Sequence, residues 1–108
     1  MQANKYQEFT LTTAIYPDAG TGSDVELYYL TLGLTSEAGE VAGKIKKQIR
    51  DGELDIGATM SELSDCAWYI ARLADAFGMT LEELFDLNYG KLTRRKNNGT
   101  LSGSGDHR

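Results

Sequence analysis

Hydrophobic residues recur along the chain at helical spacing. Ser23-Asp24-Val25-Glu26 has the layout of a capping box and predicts a helix start. Leu27, Leu30, Leu34, Ala38, Val41, Ile45 and Ile49 then fall on an arc about 100° wide. That arc predicts a long core-facing helix ending near Arg50, before Asp51-Gly52. A second long helix is predicted over 59–77, with Leu63, Cys66, Ile70, Leu73, Ala74 and Phe77 on its apolar face and Gly78 as its C-cap. Thr80-Leu81-Glu82-Glu83 is another capping box, opening a helix to about Lys96 with Leu81, Leu84, Phe85 and Leu92 on one side. Ahead of these, residues 4–13 (NKYQEFTLTT) predict an amphipathic helix carrying Tyr6, Phe9 and Thr13 on a face.

The rest is punctuation. Residues 16–23 (YPDAGTGS) hold the only proline and two glycines and predict a loop. It lacks the G-x-x-x-x-G-K-[ST] pattern of a Walker-type phosphate loop. Residues 53–58 connect the two long helices. From Asn97 on (NNGTLSGSGDHR) no core-forming pattern remains, so 97–108 read as a loop or a flexible arm. No stretch reads as a strand and none repeats. The expected fold is all-α, a bundle of three to four helices over residues 1–96. A chain of 108 residues buries only a modest core, so oligomerisation is expected to complete it. Gly33, Gly39 and Gly43 inside the first long helix cost roughly 1 kcal/mol each and suggest close approach of another backbone or a ligand, or plain helix-to-helix packing.

Polar residues then break the pattern. Glu37 and Glu40, spaced i, i+3, lie at the rim of one apolar arc; Glu62 and Asp65, equally spaced, lie within and beside the next. Lys44 follows the first rim. Asn88 falls between Leu84 and Leu81 on the last helix, with Lys91 and Arg95 on the same side. Burying charge is costly unless it is paired or bound to metal. If the two long helices run antiparallel, four carboxylates converge and need a positive charge between them, best supplied by Mg²⁺ or Mn²⁺. Simpler readings exist for each residue. An isolated E-x-x-E is ordinarily a solvated face. Glu62 also completes a capping box with Thr59, Glu40 and Lys44 make an i, i+4 pair, and the run KLTRRK suits any anion, RNA included.

Composition narrows the classes. The net charge of −5 argues against a general nucleic-acid binder, and no stable nucleic-acid complex is expected. The lone cysteine, Cys66, fits a reducing cytosol, and a cytoplasmic location is expected. No apolar run reaches membrane-spanning length, so no membrane partner is expected. A single histidine, His107, leaves little room for histidine-based catalysis or zinc in the core.

The order E-x-x-E, a spacer of some twenty residues, then E-x-x-D resembles the signature of the MazG-like all-α nucleoside triphosphate pyrophosphohydrolases. The dimeric dUTPases and dCTP pyrophosphatases share that organisation. Here it reads Glu37-Ala-Gly-Glu40 and Glu62-Leu-Ser-Asp65. GLTSEAGEVAGKIKK, ELSDCAWYIARLADAFGMTLEELFDLNYGKLTRR and the N-x-x-K-x-x-x-R element at Asn88, Lys91 and Arg95 are similar to family text. The ending GSGDHR resembles the tail of small, often phage-encoded members. Ser64 stands where many members have glycine. The resemblance implies Mg²⁺-dependent hydrolysis of a nucleoside triphosphate, a dNTP by preference, at the α–β bond. It implies metal held by Glu37, Glu40, Glu62 and Asp65, with Glu37 or Glu40 as base. Lys44, Asn88, Lys91 and Arg95 would bind phosphate. It also implies a homodimer or homotetramer with sites at subunit interfaces, in the host cytoplasm if the chain is phage-encoded. Trp68, Tyr69 and Tyr28 fit an interface or ordinary partial burial equally. Base contacts stay open among Tyr6, Phe9, Tyr16 and Trp68. A non-catalytic helical interaction module and a small nucleotide- or RNA-binding protein are the competing readings.

Overall fold

The computed structural model describes all 108 residues. It contains four helices and no strand: α1 (Ala3–Thr12), α2 (Asp24–Asp51), α3 (Ile56–Ala76) and α4 (Leu81–Asn98). The chain is therefore all-α, as its periodicity predicts. α2 and α3 pack along each other as a hairpin. α1 lies on α3 and α4, and α4 packs against α1 and α3 while its backbone does not approach α2.

The helix ends follow local chemistry. Ser23 accepts from Glu26 N–H and starts α2, and Gly52 closes it in the left-handed region (φ 83°). α3 begins earlier than its apolar pattern predicts, because Asp55 accepts from Ala58 N–H and acts as N-cap. Thr59 is thereby inside the helix, its hydroxyl donating to Asp55 O at 2.7 Å. No capping box forms between Thr59 and Glu62, so that explanation of Glu62 falls away. At the start of α4, three N–H groups that a helix leaves orphaned all find partners. Gln7 Oε1 accepts from Leu81, Asn4 Oδ1 from Glu82, and Thr80 Oγ1 from Glu83. The Thr80–Glu83 capping box is complete.

Two of those caps come from α1, which corrects the expected face of that helix. Gln7 and Thr10 point inward, whereas Phe9 is exposed. Gln7 also donates to Ala71 O and Met79 O, so one side chain ties α1 to α3 and to the α3–α4 turn. Phe9 is left outside and Tyr6 half-buried, because the turn's buried backbone groups need hydrogen-bond partners at the inner position.

A second buried network joins the remaining elements. Glu26 has no exposed surface and accepts from Tyr16 O–H (2.6 Å), Gly20 N–H (2.6 Å) and Gly22 N–H (2.8 Å). Arg72, equally buried, donates to Thr10 Oγ1 and pairs with Asp75. The buried apolar set is small: Tyr16, Leu30, Cys66, Ala71, Ala74 and Leu81. Many positions of the predicted arcs stay open, with Ile49 at 83% and Phe77 at 72% exposure, and Leu63, Ile70, Phe85 and Leu92 also exposed. Their periodicity is helical as expected, but within one protomer no element covers them. The radius of gyration of 16.5 Å exceeds the roughly 13 Å of a compact domain this size.

Burial alone would raise the pKa of Glu26. The Tyr16 hydroxyl, the Gly20 and Gly22 amides and nearby Arg72 outweigh it and hold the carboxyl below its ordinary range. Its folded pKa lies under the unfolded one, so its contribution is full above the ordinary carboxylate pKa and is lost as pH falls through the depressed value. Glu26→Ala should reduce unfolding free energy by about 3 kcal/mol at neutral pH, since it strands the buried Tyr16 hydroxyl and two part-buried loop amides and takes a nearby countercharge from Arg72. In denaturant titrations the gap between parent and variant should shrink progressively below about pH 4.

Candidate metal centre

Glu37 stands on α2 and Glu62 and Asp65 on the facing stretch of α3. One carboxylate oxygen from each lies within 4.8 Å of the other two. Asp65 and Glu62 share a face by their i, i+3 spacing, and hairpin packing brings Glu37 opposite. Glu37 Oε2 is buried and has no hydrogen-bond partner. Its contact with the Glu62 carboxyl, then burial, then the charges of Asp65, Glu62 and Glu40 hold the Glu37 carboxyl above the usual range. A lone pair buried among like charges is what a cation or a shared proton satisfies. The donors are all carboxylate oxygens, a set that fits hard divalent ions rather than zinc or copper.

Glu40 is exposed and outside this trio, one turn further along α2, close enough for its charge to act on Glu37. It makes no ion pair with Lys44. Lys44 instead lines a polar cavity beside the α2–α3 turn with Lys47, Asp51 and Asp55. The residues of α4 are not brought to the acids within one protomer. Asn88 lines an apolar groove with Phe85 and Leu92, and Lys91 lines a separate cavity with Arg94 and Asp106. Arg95 is buried under the C-terminal tail, donating to Asp106 O at 2.9 Å.

Two residues enter through geometry. The Tyr69 ring lies on Gly33, so close that a Cβ at residue 33 would overlap it. Gly33 is thus the α2 glycine with a steric reason, while Gly39 and Gly43 face open space. Gly33 precedes Glu37 by one turn and Tyr69 follows Asp65 by one turn, so the ring flanks the carboxylates. Burial raises the Tyr69 pKa first, then Tyr29, Glu37 and Asp65. Tyr6 on α1 is raised by burial and then by Asp65, which sets it on the same rim. The spacing of Tyr69 from Asp65 and of Gly33 from Glu37 was the available signal in the sequence.

The other aromatics are knitted together. Tyr16 stacks on Tyr29 at 4.9 Å and meets Trp68 edge-on at 6.1 Å, and Trp68 meets Tyr69 edge-on at 5.0 Å. Trp68 Nε1 donates to Thr13 Oγ1. Trp68 and Tyr69 are therefore part of the protomer's own packing, whereas Tyr28 is 64% exposed.

Residues 27–100 match the family of the MazG nucleotide pyrophosphohydrolase domain, a span that holds all four acids and α4. The Gene 37 protein of Mycobacterium phage L5 is 41% identical over 114 residues, covering 100% of both chains. No solved structure matches the chain.

Gly33→Ala should push the Tyr69 ring off α2. Overpacking of this kind costs roughly 1–3 kcal/mol. A lower Tm and an altered near-UV circular dichroism signal are expected, and Gly39→Ala, which meets nothing, should raise stability slightly.

Proposed function

This chain belongs to the MazG nucleotide pyrophosphohydrolase family, and on that premise we propose that it hydrolyses a deoxynucleoside triphosphate at the α–β bond, giving the monophosphate and pyrophosphate with Mg²⁺ as cofactor. The observation that carries the proposal is the convergence of Glu37, Glu62 and Asp65, with a buried Glu37 oxygen lacking any partner in the protein. Mn²⁺ meets the same donor preference. A triphosphate is strongly anionic, and acids alone would repel it. Glu37, Glu62 and Asp65 would hold the ion, with Glu40 at the margin as fourth ligand. Once bound, the cation neutralises phosphate charge and makes an attacking water more acidic.

The chain's own groups do the rest. Glu40, accessible and beside the trio, orients the attacking water and accepts its proton, and Glu37 is the alternative base. Lys44, Asn88 and Lys91 supply the positive and hydrogen-bonding half that stabilises the departing pyrophosphate, while Arg95, the fourth expected member, is enclosed under the C-terminal tail. Since the α4 backbone does not approach α2 in one protomer, a second copy would bring its α4 to the acids. The uncovered apolar faces, with Leu32 at 70% and Phe77 at 72% exposure, support a homodimer or homotetramer. No helix is long and apolar enough to cross a membrane. The unpaired Cys66 and the phage relative support action in a host cytoplasm. RNA binding through KLTRRK is less well supported, because burial of Arg95 interrupts that run as a basic face.

Incubation with each dNTP and Mg²⁺ should release pyrophosphate and monophosphate. Inorganic phosphate with a diphosphate would instead mean β–γ cleavage and overturn the assignment. Glu40→Gln and Glu37→Gln should each lower kcat by about 100-fold or more while far-UV circular dichroism stays unchanged. Thermal shift gives a second check: Mg²⁺ or Mn²⁺ should raise the Tm of the parent and not that of Glu37→Gln, and EDTA should reverse the rise.

A further inference from the structure

The last ten residues, Gly99–Arg108, contain no helix or strand, yet two arginines fix them. Arg95 of α4 donates to Asp106 O (2.9 Å) and Gly105 O (3.5 Å), and lies 3.7 Å from the Asp106 carboxylate. Arg108 donates to Thr100 O, Leu101 O and Gly105 O at 2.6–3.1 Å. The carbonyls of this segment are thus drawn onto two guanidinium groups. Its amides are left over: no backbone N–H from Leu101 to His107 has an acceptor in the chain. Gly103 (φ 123°) and Gly105 (φ 87°) supply the left-handed backbone that such a loop needs. Successive free N–H groups around left-handed residues are the usual makings of an anion-binding nest.

The loop also walls a cavity against α4, lined by Lys91, Arg94 and His107 together with Asp86 and Asp106. Neither Lys91 nor Arg94 has an ion-pair or hydrogen-bond partner. Arg95 Nε is buried without an acceptor. This guanidinium is spoken for by the tail and reaches no solvent-borne ligand while the tail is in place.

We propose that the C-terminal loop is a phosphate-binding arm, held in position by Arg95, which adds its free amides and His107 to Lys91 and Arg94 on α4. Its ligand is the pyrophosphoryl end of the nucleotide. The inference rests on the hydrolase reading for which nucleotide is bound, but it assigns the phosphate half differently. Arg94 and the arm join Lys91 as contacts, and Arg95 becomes a positioning residue acting through the arm.

The test is calorimetric binding of pyrophosphate to the full chain in its native assembly, in EDTA, so that the acid centre contributes only repulsion. Lys91→Ala and Arg94→Ala should each weaken binding by about tenfold, and Asp86→Asn should tighten it. A chain ending at Leu101 loses one acid and one arginine, leaving the formal charge unchanged. It too should bind about tenfold more weakly. Arg95→Gln should cause a similar loss in the full chain and none in the shortened one, because its effect passes through the arm. Arg108→Gln, which removes the other staple without touching α4, should repeat that loss. Unchanged or tighter binding by the shortened chain would make the tail a competitor of the phosphates and sink the proposal. So would a loss from Arg95→Gln that persists in the shortened chain. A parent that binds pyrophosphate but cleaves no triphosphate would refute the hydrolase reading and leave the arm standing.

Discussion

Glu26 has no exposed surface, and its two oxygens accept from a tyrosine hydroxyl and two loop amides. A charge placed so deeply is tolerable only with every partner present. The Tyr16–Gly22 loop is therefore wrapped around the start of α2, and Tyr16 is fixed where it stacks on Tyr29 and meets Trp68. Burial and the Glu26 bond push the Tyr16 hydroxyl up to about 12, so it remains a donor throughout the physiological range. From Trp68 the contacts run to Tyr69 and so to the rim of the carboxylate trio. The acid centre inherits its geometry from a hydrogen-bonded network about three helical turns away along α2.

That dependence bears on the protomer as a whole. Thr10, Glu26 and Arg72 are enclosed about as completely as Leu30, and Gln7 about as much as Leu81. Networks of this kind fix a unique arrangement when all members are satisfied. They add little net free energy compared with apolar burial, which scales at about 25 cal/mol per Å². One protomer thus has well-specified geometry and an unfinished core. The open apolar faces are the observation that supports the homo-oligomer proposed above.

Much of this was legible in the sequence. The N-cap at Ser23, the complete capping box at Thr80, the arcs of α2 and α3, and the convergence of Glu37, Glu62 and Asp65 all follow from periodicity and spacing, although Glu26 is drawn to Tyr16, Gly20 and Gly22 and does not close a box on Ser23. What escaped were features set by partners far away in the chain. The inner face of α1 is polar because it caps α4, some 75 residues later. α3 starts at Asp55 rather than beside Thr59, a choice between two local caps that propensity does not decide. The apolar arcs gave the helices correctly but not whether one chain can cover them. The order of the tail depends on two arginines finding carbonyls, which no periodicity encodes.

Gly33 and Tyr69 occupy the same space by agreement: one has no side chain so that the other can lie flat. Neither position can drift alone. A larger residue at 33 collides with the ring, and a smaller one at 69 leaves a void beside the acids while the helix still carries a glycine in its middle. In a lineage of such chains the two sites should therefore change together or stay fixed together. The packing of one ring against one turn would leave a paired trace in ancestry, on a helix otherwise free to exchange its outward residues.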